Sequence, residues 1–414
     1  MRPQNASTSA LLLLVAVAAC SGDAQWTGTV TDSAGITIVS NTADGMWSAS
    51  ERWTVEEELR IGSIEGDPDY QFGQIGFIAV GSDDRIFVLD AQGRHAKVYS
   101  ADGQYERTIG GPGSGPGELG SQAVFLSVGP GDTLLVPDLM NQRVNRYAPD
   151  GSSLGSFPLR LEQGLPMQWR ATSSGVIAQQ VRPFALPGQP AADSMDAIVR
   201  LAVDGTVMDT LMKFPSGRLF SLGGGTPEIN LYSPEPVWDL ADDLRLLFGV
   251  NDDYRIGLYS AEGTLERIIA MPFEPTPVSE RDREAVMSFV ERMWLDAGVP
   301  PAVLPQMRSM IHFGEFFPAF SSIQSGPQGT IWVQHTQSAA DLTEEELEQF
   351  NLIEDAGAPD WDVFDAEGRY LGTVPMPLRF APRLFRGNKI YGVWRDELDV
   401  QYAMRLRIVG AAEE

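Results

Sequence analysis

The sequence predicts an all-β fold, a six-bladed β-propeller with short helical insertions on one face, from three observations. A short turn phrase recurs along the chain, and each copy follows a second strand pair with its own tight polar turn. Copies lie 48 residues apart where no insertion intervenes. Evenly spaced four-stranded units are typical of a propeller rather than a sandwich. With 414 residues, 43% of them hydrophobic, the chain is large enough to form such a ring around its own core.

The first residues have the pattern of an export signal. Arg2 precedes an apolar run over 10–19, which at about ten residues is too short to span a bilayer. The run ends at Cys20, the only cysteine of the chain. This ending, Val-Ala-Ala-Cys, resembles the lipobox of bacterial lipoprotein signals, which implies that Cys20 carries lipid. We therefore predict a signal peptide over 1–19 and a tether over 20–34. The alternative is an ordinary signal that leaves Cys20 as a free thiol.

The recurring phrase is an apolar or aromatic residue, two further residues, and then Asp-Gly or Glu-Gly. Glycine supplies a positive φ and the acid bonds to local backbone, so each copy is typical of a β-hairpin turn. The acidic residues of the five copies are Asp102, Asp150, Asp204, Glu262 and Glu367. β-rich runs over 390–394 and 402–409 indicate a sixth unit that lacks its outer strand. We place the propeller at 35–414 and expect residues 35–41 to supply that strand.

Two of the units resemble NHL-type repeats, which form six-bladed propellers in bacterial lipoproteins of unassigned function. The better copy has a strand over 134–137, then Asp138, and then Asn141 and Arg143 before the next strand. The other copy departs from the family phrase, because Gly93 and His95 stand where Asn and Arg would be. The resemblance covers about residues 70–160, and it implies the fold rather than a function.

The long insertions all fall on one predicted face. In the arrangement that the resemblance implies, strand A is innermost and strand D outermost in each blade. The A–B and C–D turns then share one face, and the B–C and D–A connections share the other. The insertions are all of the second kind, at about 182–196, 214–233, 272–317 and 336–359. Because long loops are usually functional, this insertion face is the predicted binding face.

Two of the insertions contain helix signals. Ser279 and Asp282 form a capping box before apolar residues at helical spacing, which predicts a helical insertion over about 277–316. Thr343 and Glu346 form a second capping box within the loop insertion at about 336–359. The two helices would form a lid over one side of the central opening. Alternatively, the apolar stripe of the first helix only seals the junction between two blades.

A ring of charged residues is expected where strand B ends in successive blades. Arginine can bind a carboxylate, a sugar acid or a peptide terminus through two parallel hydrogen bonds. The alternative is that the aspartates and arginines brace neighbouring loops. The candidate ligand-binding residues are Asp90, Arg94, Asp138, Arg143, Arg182, Arg255, His335 and Arg395, with Asp252 and Asp396 beside them.

No catalytic set is recognisable. The three histidines lack the i, i+4 spacing of zinc ligands, and no nucleophile elbow occurs. The Gly-rich run over 110–120 is followed by a strand rather than a helix, so it is a propeller loop and not a dinucleotide site. The acids Glu354, Asp355, Asp360 and Asp362 lack EF-hand spacing. We predict no cofactor and leave a divalent ion such as calcium open.

The net charge of −26, with no basic stripe, disfavours nucleic acid as a partner. We expect a lipid-anchored protein of the cell envelope that binds or scaffolds a peptide, glycan or protein partner. Ser21 after Cys20 resembles the sorting signal for the outer membrane, on its periplasmic or surface side. Two alternatives stay open, namely a metal-dependent hydrolase or lyase of the lactonase-like propeller class and a structural module of a larger lipoprotein assembly.

Overall fold

The computed structural model describes residues 26–161, 164–172, 174–183, 195–216, 220–221, 228–348, 351 and 357–411. Within these ranges the strands form six blades around a central axis, which confirms the predicted six-bladed β-propeller. A smaller three-stranded sheet belongs to the insertions. The predicted signal peptide and Cys20 lie outside the described residues. None of the helices in the described ranges combines the length and the apolar content needed to cross a bilayer.

Three strands precede the first blade, namely β1 (Thr29–Ser33), β2 (Ile36–Ser40) and β3 (Thr54–Ile61). The strands of the first three blades, each from inner to outer, are β4–β7 (Ile75–Val80, Ile86–Asp90, His95–Tyr99, Tyr105–Ile109), β8–β11 (Ser127–Gly129, Thr133–Asp138, Arg143–Tyr147, Ser153–Pro158) and β12–β15 (Leu165–Ala171, Ile177–Arg182, Met195–Leu201, Val207–Pro215).

The next elements are the insertion strands β16 (Phe220–Ser221) and β17 (Glu228–Leu231), and then blade four, β18–β21 (Pro236–Leu240, Leu246–Val250, Arg255–Tyr259, Leu265–Ala270). A second insertion contains α1 (Glu280–Asp296), α2 (Leu304–Arg308) and β22 (Ile311–Phe313). Blade five is β23–β26 (Ser322–Ser325, Ile331–Thr336, Gly357–Phe364, Tyr370–Pro375), with α3 (Glu344–Glu348) between its second and third strands. Blade six contains β27–β29 (Phe380–Arg386, Lys389–Arg395, Gln401–Val409).

The sixth blade takes its outer strand from the N-terminal part of the chain, but not from residues 35–41 as predicted. β3 pairs antiparallel with β29, so that Ile61 lies opposite Ala403 and Thr54 opposite Val409. β2, which contains most of the predicted donor, pairs in parallel with β21 at the outer edge of blade four. The prediction was wrong because the outer strand is largely exposed and so lacks the apolar pattern that marked residues 35–41 as a strand. β3 buries only Ile61 and carries consecutive glutamates over 56–58, so its sequence has no apolar run.

The segment between β2 and β3 joins the outer edges of three blades. The side chain of Asn41 donates to the carbonyl of Gly368 at 3.0 Å and accepts from the amide of Tyr370 at 2.8 Å, which ties blade four to blade five. Further along, the amide of Trp47 donates to the carbonyl of Leu371 at 2.8 Å. The chain then enters β3 on blade six. The N-terminal segment is therefore part of the ring rather than a free extension.

The core of the propeller is divided among the junctions between blades. Each pair of adjacent blades encloses one cluster of buried apolar side chains, because each strand presents alternate side chains to the neighbouring blade on either side. At the junction of blades three and four, for example, Ile198 packs with Trp238 and Leu246. This packing makes the ring rigid, so the loops at either end of the blades are held at fixed positions.

Candidate functional site

The insertions on the insertion face form a small unit with its own core. β17 pairs with β16 and, in parallel, with β22, so two separate D–A connections contribute to one sheet. Helix α1 lies against that sheet, where Val286, Val290 and Trp294 pack with Leu231 and Ile311. The apolar stripe of α1 therefore forms the core of this insertion unit rather than a seal between two blades. We use "insertion unit" for β16, β17, α1, α2, β22 and α3.

Both predicted capping boxes are present. At the start of α1 the hydroxyl of Ser279 accepts from the amide of Asp282 at 3.3 Å, and the carboxylate of Asp282 accepts from the amide of Ser279 at 2.8 Å. Thr343 and Glu346 make the equivalent pair at α3. Asp282 also accepts from the hydroxyl of Ser338 at 2.9 Å, which ties α1 to the connection that carries α3. Burial opposes ionisation of Asp282, but these hydrogen bonds hold its pKa below the ordinary value.

The candidate residues lie where strands B and C are connected in all six blades, as the topology predicts. In blades one and two, the aspartates among them brace the loops at this end. Asp90 is 3% exposed and accepts hydrogen bonds from the amides of Gly73 and Gly93. Asp138 is fully buried and accepts from the amide of Gly120 at 2.7 Å and from both the amide and the side chain of Asn141. Each carboxylate therefore joins the B–C loop of its blade to the preceding D–A connection.

Arg143 holds the Gly-rich run in place. Its guanidinium donates to the carbonyls of Ser114, Gly115 and Glu118 at 3.1, 2.7 and 2.9 Å. The run over 110–120 connects β7 to β8 without forming a helix, as the sequence indicated. Arg94, by contrast, occupies the left-handed region with φ of 55°, and no ion pair links it to Asp90 in the part of the chain that the structure describes.

In blade three, Arg182 is part of a buried network. Its guanidinium forms an ion pair with Asp196 at 2.9 Å, and the Asp196 side chain is fully buried. Asp196 also accepts from the side-chain amide of Gln180 at 2.7 Å, and Gln180 accepts from the indole of Trp238 at 2.8 Å in blade four. A buried ion pair of this kind is held together by its hydrogen bonds, and it links two blades.

In blade five, His335 lies against a buried carboxylate. Its Nε2 atom lies 2.9 Å from Oδ2 of Asp362, while its side chain remains 40% exposed. Asp362 also accepts from the hydroxyls of Tyr254 at 2.8 Å and Tyr370 at 3.0 Å. Burial opposes protonation of His335, but the hydrogen bond and charge of Asp362 outweigh it, so the pKa of His335 is raised. Burial raises the pKa of Asp362, yet His335 and the two tyrosines bring it below the ordinary value.

The remaining candidates lie in blades four and six. Arg395 is almost buried and forms an ion pair with Asp399 at 2.6 Å. Asp396 accepts from the amides at 398 and 400 and so shapes the loop between β28 and β29. Arg255 and Asp252 are exposed. Five of the candidates make contacts that brace neighbouring loops or strands, as the alternative interpretation expects, namely Asp90, Asp138, Arg143, Arg182 and Arg395. A ligand-binding role stays a prediction for all eight candidates.

The predicted acidic group is only partly within the described residues. Glu354 and Asp355 lie outside them, whereas Asp360 is exposed and Asp362 is buried. In the described ranges, no three His, Cys, Asp or Glu side chains lie close enough together to hold a metal ion.

Sequence reasoning missed a set of exposed hydrophobic residues on the insertion face. One group surrounds the end of blade six, with Leu398 75% exposed and Ile64 and Leu378 each 58% exposed. A second group belongs to the insertion unit and its flanks, namely Met293, Leu295, Val303 and Phe316. Three further exposed hydrophobic residues belong to blades two, three and four, namely Met140, Met167 and Val250. Together these are most of the large hydrophobic side chains that are exposed in the described residues. Aliphatic residues at loop tips, such as Leu398 between Glu397 and Asp399, are the sequence signal that could have found them.

Comparison with known proteins supports the fold. Residues 63–155 match a family model described as DUF5128, 6-bladed beta-propeller. A protein from Bacteroides fragilis, named provisionally as exported, is 12% identical over 90% of this chain and 99% of its own, with a TM-score of 0.50. A member of the DUF4221 family from Bacteroides vulgatus is 11% identical over 86% of this chain and 99% of its own, with a TM-score of 0.51.

A virginiamycin B lyase from Staphylococcus aureus is 13% identical over 86% of this chain and all of its own, but its TM-score of 0.42 carries no argument about activity. None of the curated proteins compared with the chain is similar to it. At such low identities the solved structures show the propeller fold alone.

Proposed function

We propose that this protein is a lipid-anchored binding or scaffold protein of the bacterial cell envelope, and that its insertion face holds a protein partner. The observation behind the proposal is the concentration of exposed hydrophobic side chains on that face, around the end of blade six and on the insertion unit. Exposed apolar side chains that are grouped on one face mark interaction sites on soluble proteins, whereas singly scattered ones do not. The rigid ring beneath them keeps the two groups at fixed positions.

A protein or peptide fits these residues better than a glycan. Leu398, Leu378 and Ile64 are aliphatic, and such side chains pack against apolar side chains at the centre of protein interfaces. Sugar binding relies on aromatic planes and convergent polar groups, whereas Phe316 is the one aromatic residue among the exposed hydrophobic side chains of this face that the structure describes. No observation in the described residues favours the metal-dependent hydrolase or lyase.

The proposed anchor suits this use of the face. β1 begins at Thr29 within the predicted tether of residues 20–34, so the part of the tether that precedes β1 is nine residues long from Cys20 and reaches at most about 30 Å. β1 and β2 attach at the outer edge of blade four, so the tether meets the rim of the ring and leaves both faces accessible. Replacement of Cys20 by Ser tests the anchor. We expect the wild type in the membrane fraction and Cys20→Ser outside it, and a variant that stays in the membrane fraction would contradict lipid attachment.

The partner is tested by co-purification from the native envelope after mild cross-linking. We expect one protein to be recovered with the wild type in a fixed ratio and to be lost with Leu378→Ser/Leu398→Ser. A matched variant of the opposite face, Val203→Ser/Met208→Ser, should retain it, because those exposed side chains lie beside the C–D turn of blade three. Loss of the protein with the control, or its retention by the insertion-face variant, would contradict the proposal.

A further inference from the structure

We infer a second binding site, in the central channel, that takes a neutral polyhydroxylated molecule of the size of a mono- or disaccharide. It is separate from the insertion face and does not rest on the function proposed above. The channel encloses a cavity of about 830 Å³ that is lined by the inner strands and by A–B turns, including Gly131, Asp242 and Gly387. It therefore opens on the face opposite the insertions. Its volume lies within the range of about 300–1,000 Å³ that is usual for small-molecule sites.

Four polar side chains, which we call the polar girdle, line the cavity at one level. Ser127, Arg170, Asp239 and Gln324 each lie two residues before the first residue of an A–B turn, in blades two to five respectively. Equivalent positions of successive blades lie at the same depth around the central channel, and all four residues line the cavity, so they form an arc around the axis. In blade one the same position is Ala79, so the arc is open on one side.

The girdle is partly organised by its own contacts. The Nε atom of Arg170 donates to Asp239 Oδ1 at 2.8 Å, and Asp239 Oδ2 accepts from the amide of Ser325 at 2.8 Å. The hydroxyl of Ser127 accepts from the indole of Trp169 at 3.0 Å. These contacts fix the guanidinium, the carboxylate and the hydroxyl before any ligand arrives, which lowers the entropic cost of binding.

Gln324 differs from its neighbours because its side-chain amide has no partner among the described residues, although the residue is only 9% exposed. Buried polar groups are almost always hydrogen-bonded, so an amide that faces a cavity without a protein partner is available to a ligand or to water. An amide offers donors and an acceptor side by side, which matches neighbouring hydroxyl groups. Gln324 is therefore the group that we expect to contact the ligand most directly.

The charge of the lining indicates a neutral ligand. In a chain with a net charge of −26, the described lining contains equal numbers of arginines and aspartates and no lysine or glutamate. Arg170 and Asp239 are paired, and Arg245 forms an ion pair with Asp243 at 2.6 Å near the mouth. The aspartates would repel an anion and the arginines would repel a cation, so the lining as a whole favours neither kind of charged ligand.

The walls of the cavity suit a sugar ring. Phe77, Phe125 and Phe385 line it beside the polar girdle. A pyranose ring has apolar C–H faces that pack against aromatic rings and an edge of hydroxyl groups that both donate and accept. A cavity with aromatic walls and a few convergent polar groups fits that combination.

The test is titration calorimetry on the full-length protein in detergent, with glucose, N-acetylglucosamine, maltose and cellobiose as neutral probes and succinate as an anionic probe. We expect at least one sugar to bind with a 1:1 ratio and succinate not to bind. Gln324→Ala should weaken the affinity for the sugar by roughly fivefold, because one neutral hydrogen bond is lost. Val30→Ala, in the exposed strand β1, should leave the affinity for the sugar unchanged.

Three results would overturn the inference. They are the absence of binding by all four sugars at millimolar concentration, binding of succinate in their place, and an unchanged sugar affinity in Gln324→Ala. The melting temperature of each variant shows that it is folded. The partner experiment on the insertion face is independent, so either proposal can fail alone.

Discussion

The Nε2 atom of His335 lies 2.9 Å from Oδ2 of Asp362, at the junction of blades four and five. Asp362 belongs to β25 in blade five. It accepts a hydrogen bond from the hydroxyl of Tyr254, which belongs to blade four. One buried carboxylate therefore joins two blades directly beneath the insertion face. Against the effect of burial, its hydrogen bond and charge also raise the pKa of a half-exposed histidine.

The His335–Asp362 pair predicts a pH dependence of stability. The pKa of His335 is raised above the ordinary 6.5, so its stabilising contribution is complete below about pH 6.5 and is lost as the pH rises through the folded pKa. Replacement by Gln keeps a donor for Asp362 but removes the titration. We expect the melting temperature of the wild type to fall across this window more than that of His335→Gln. Parallel curves for the two proteins would show that the pair does not titrate as described.

Asp362 adds the opposite dependence at low pH. Its pKa lies below the ordinary value, so its contribution is present above that value and is lost as the pH falls through the folded pKa. The pH scan should therefore cover the acidic range as well. The two limbs belong to one coupled pair, and His335→Gln should change both.

Substitutions of Arg182 and Arg255 compare an arginine that forms a buried ion pair with an arginine that is exposed. Arg182→Ala leaves the fully buried Asp196 without its ion-pair partner, which we expect to cost about 3–5 kcal/mol in the free energy of unfolding. Arg255→Ala removes an exposed side chain and should cost less than about 0.5 kcal/mol. Urea denaturation measures both. Equal effects would contradict a structural role for Arg182.

Closure of the ring by β3 is tested with two aliphatic residues. Ile61, at the end of β3, is 2% exposed and packs at the junction of blades six and one. Ile61→Ala should lower the free energy of unfolding by about 2–4 kcal/mol. Val30 in β1 is 58% exposed, so Val30→Ala should change the free energy of unfolding by less than about 0.5 kcal/mol. The reverse order would mean that the segment before β3 contributes more to closure than β3 does.

The blades and the insertion face were predictable because their signals are local. The hairpin turns at Asp102, Asp150 and Glu262 are each encoded in a few consecutive residues with the chemistry of a tight turn. Once the strands are placed, the order of turns assigns each insertion to a face. The capping boxes at Ser279 and Thr343 were found in the same way and are present in the structure.

The features that the sequence did not reveal depend on contacts between distant residues. β3 rather than residues 35–41 closes the ring because β3 pairs with β29, which lies far along the chain. The insertion unit needs Ile229 beside Ile311, which join two separate insertions. The polar girdle becomes visible only when the inner strands are aligned around one axis, because Arg170 and Gln324 have no common motif.

Photo-crosslinking in the native envelope is the most direct measurement of partner binding at the insertion face. A photoreactive phenylalanine analogue is placed at Leu398 or Phe316 on that face, and at Met208 beside the C–D turn of blade three as the control. We predict the same discrete protein adduct from both insertion-face positions and none from Met208. An adduct from Met208 alone, or no adduct from either insertion-face position, would contradict the assignment of the binding face.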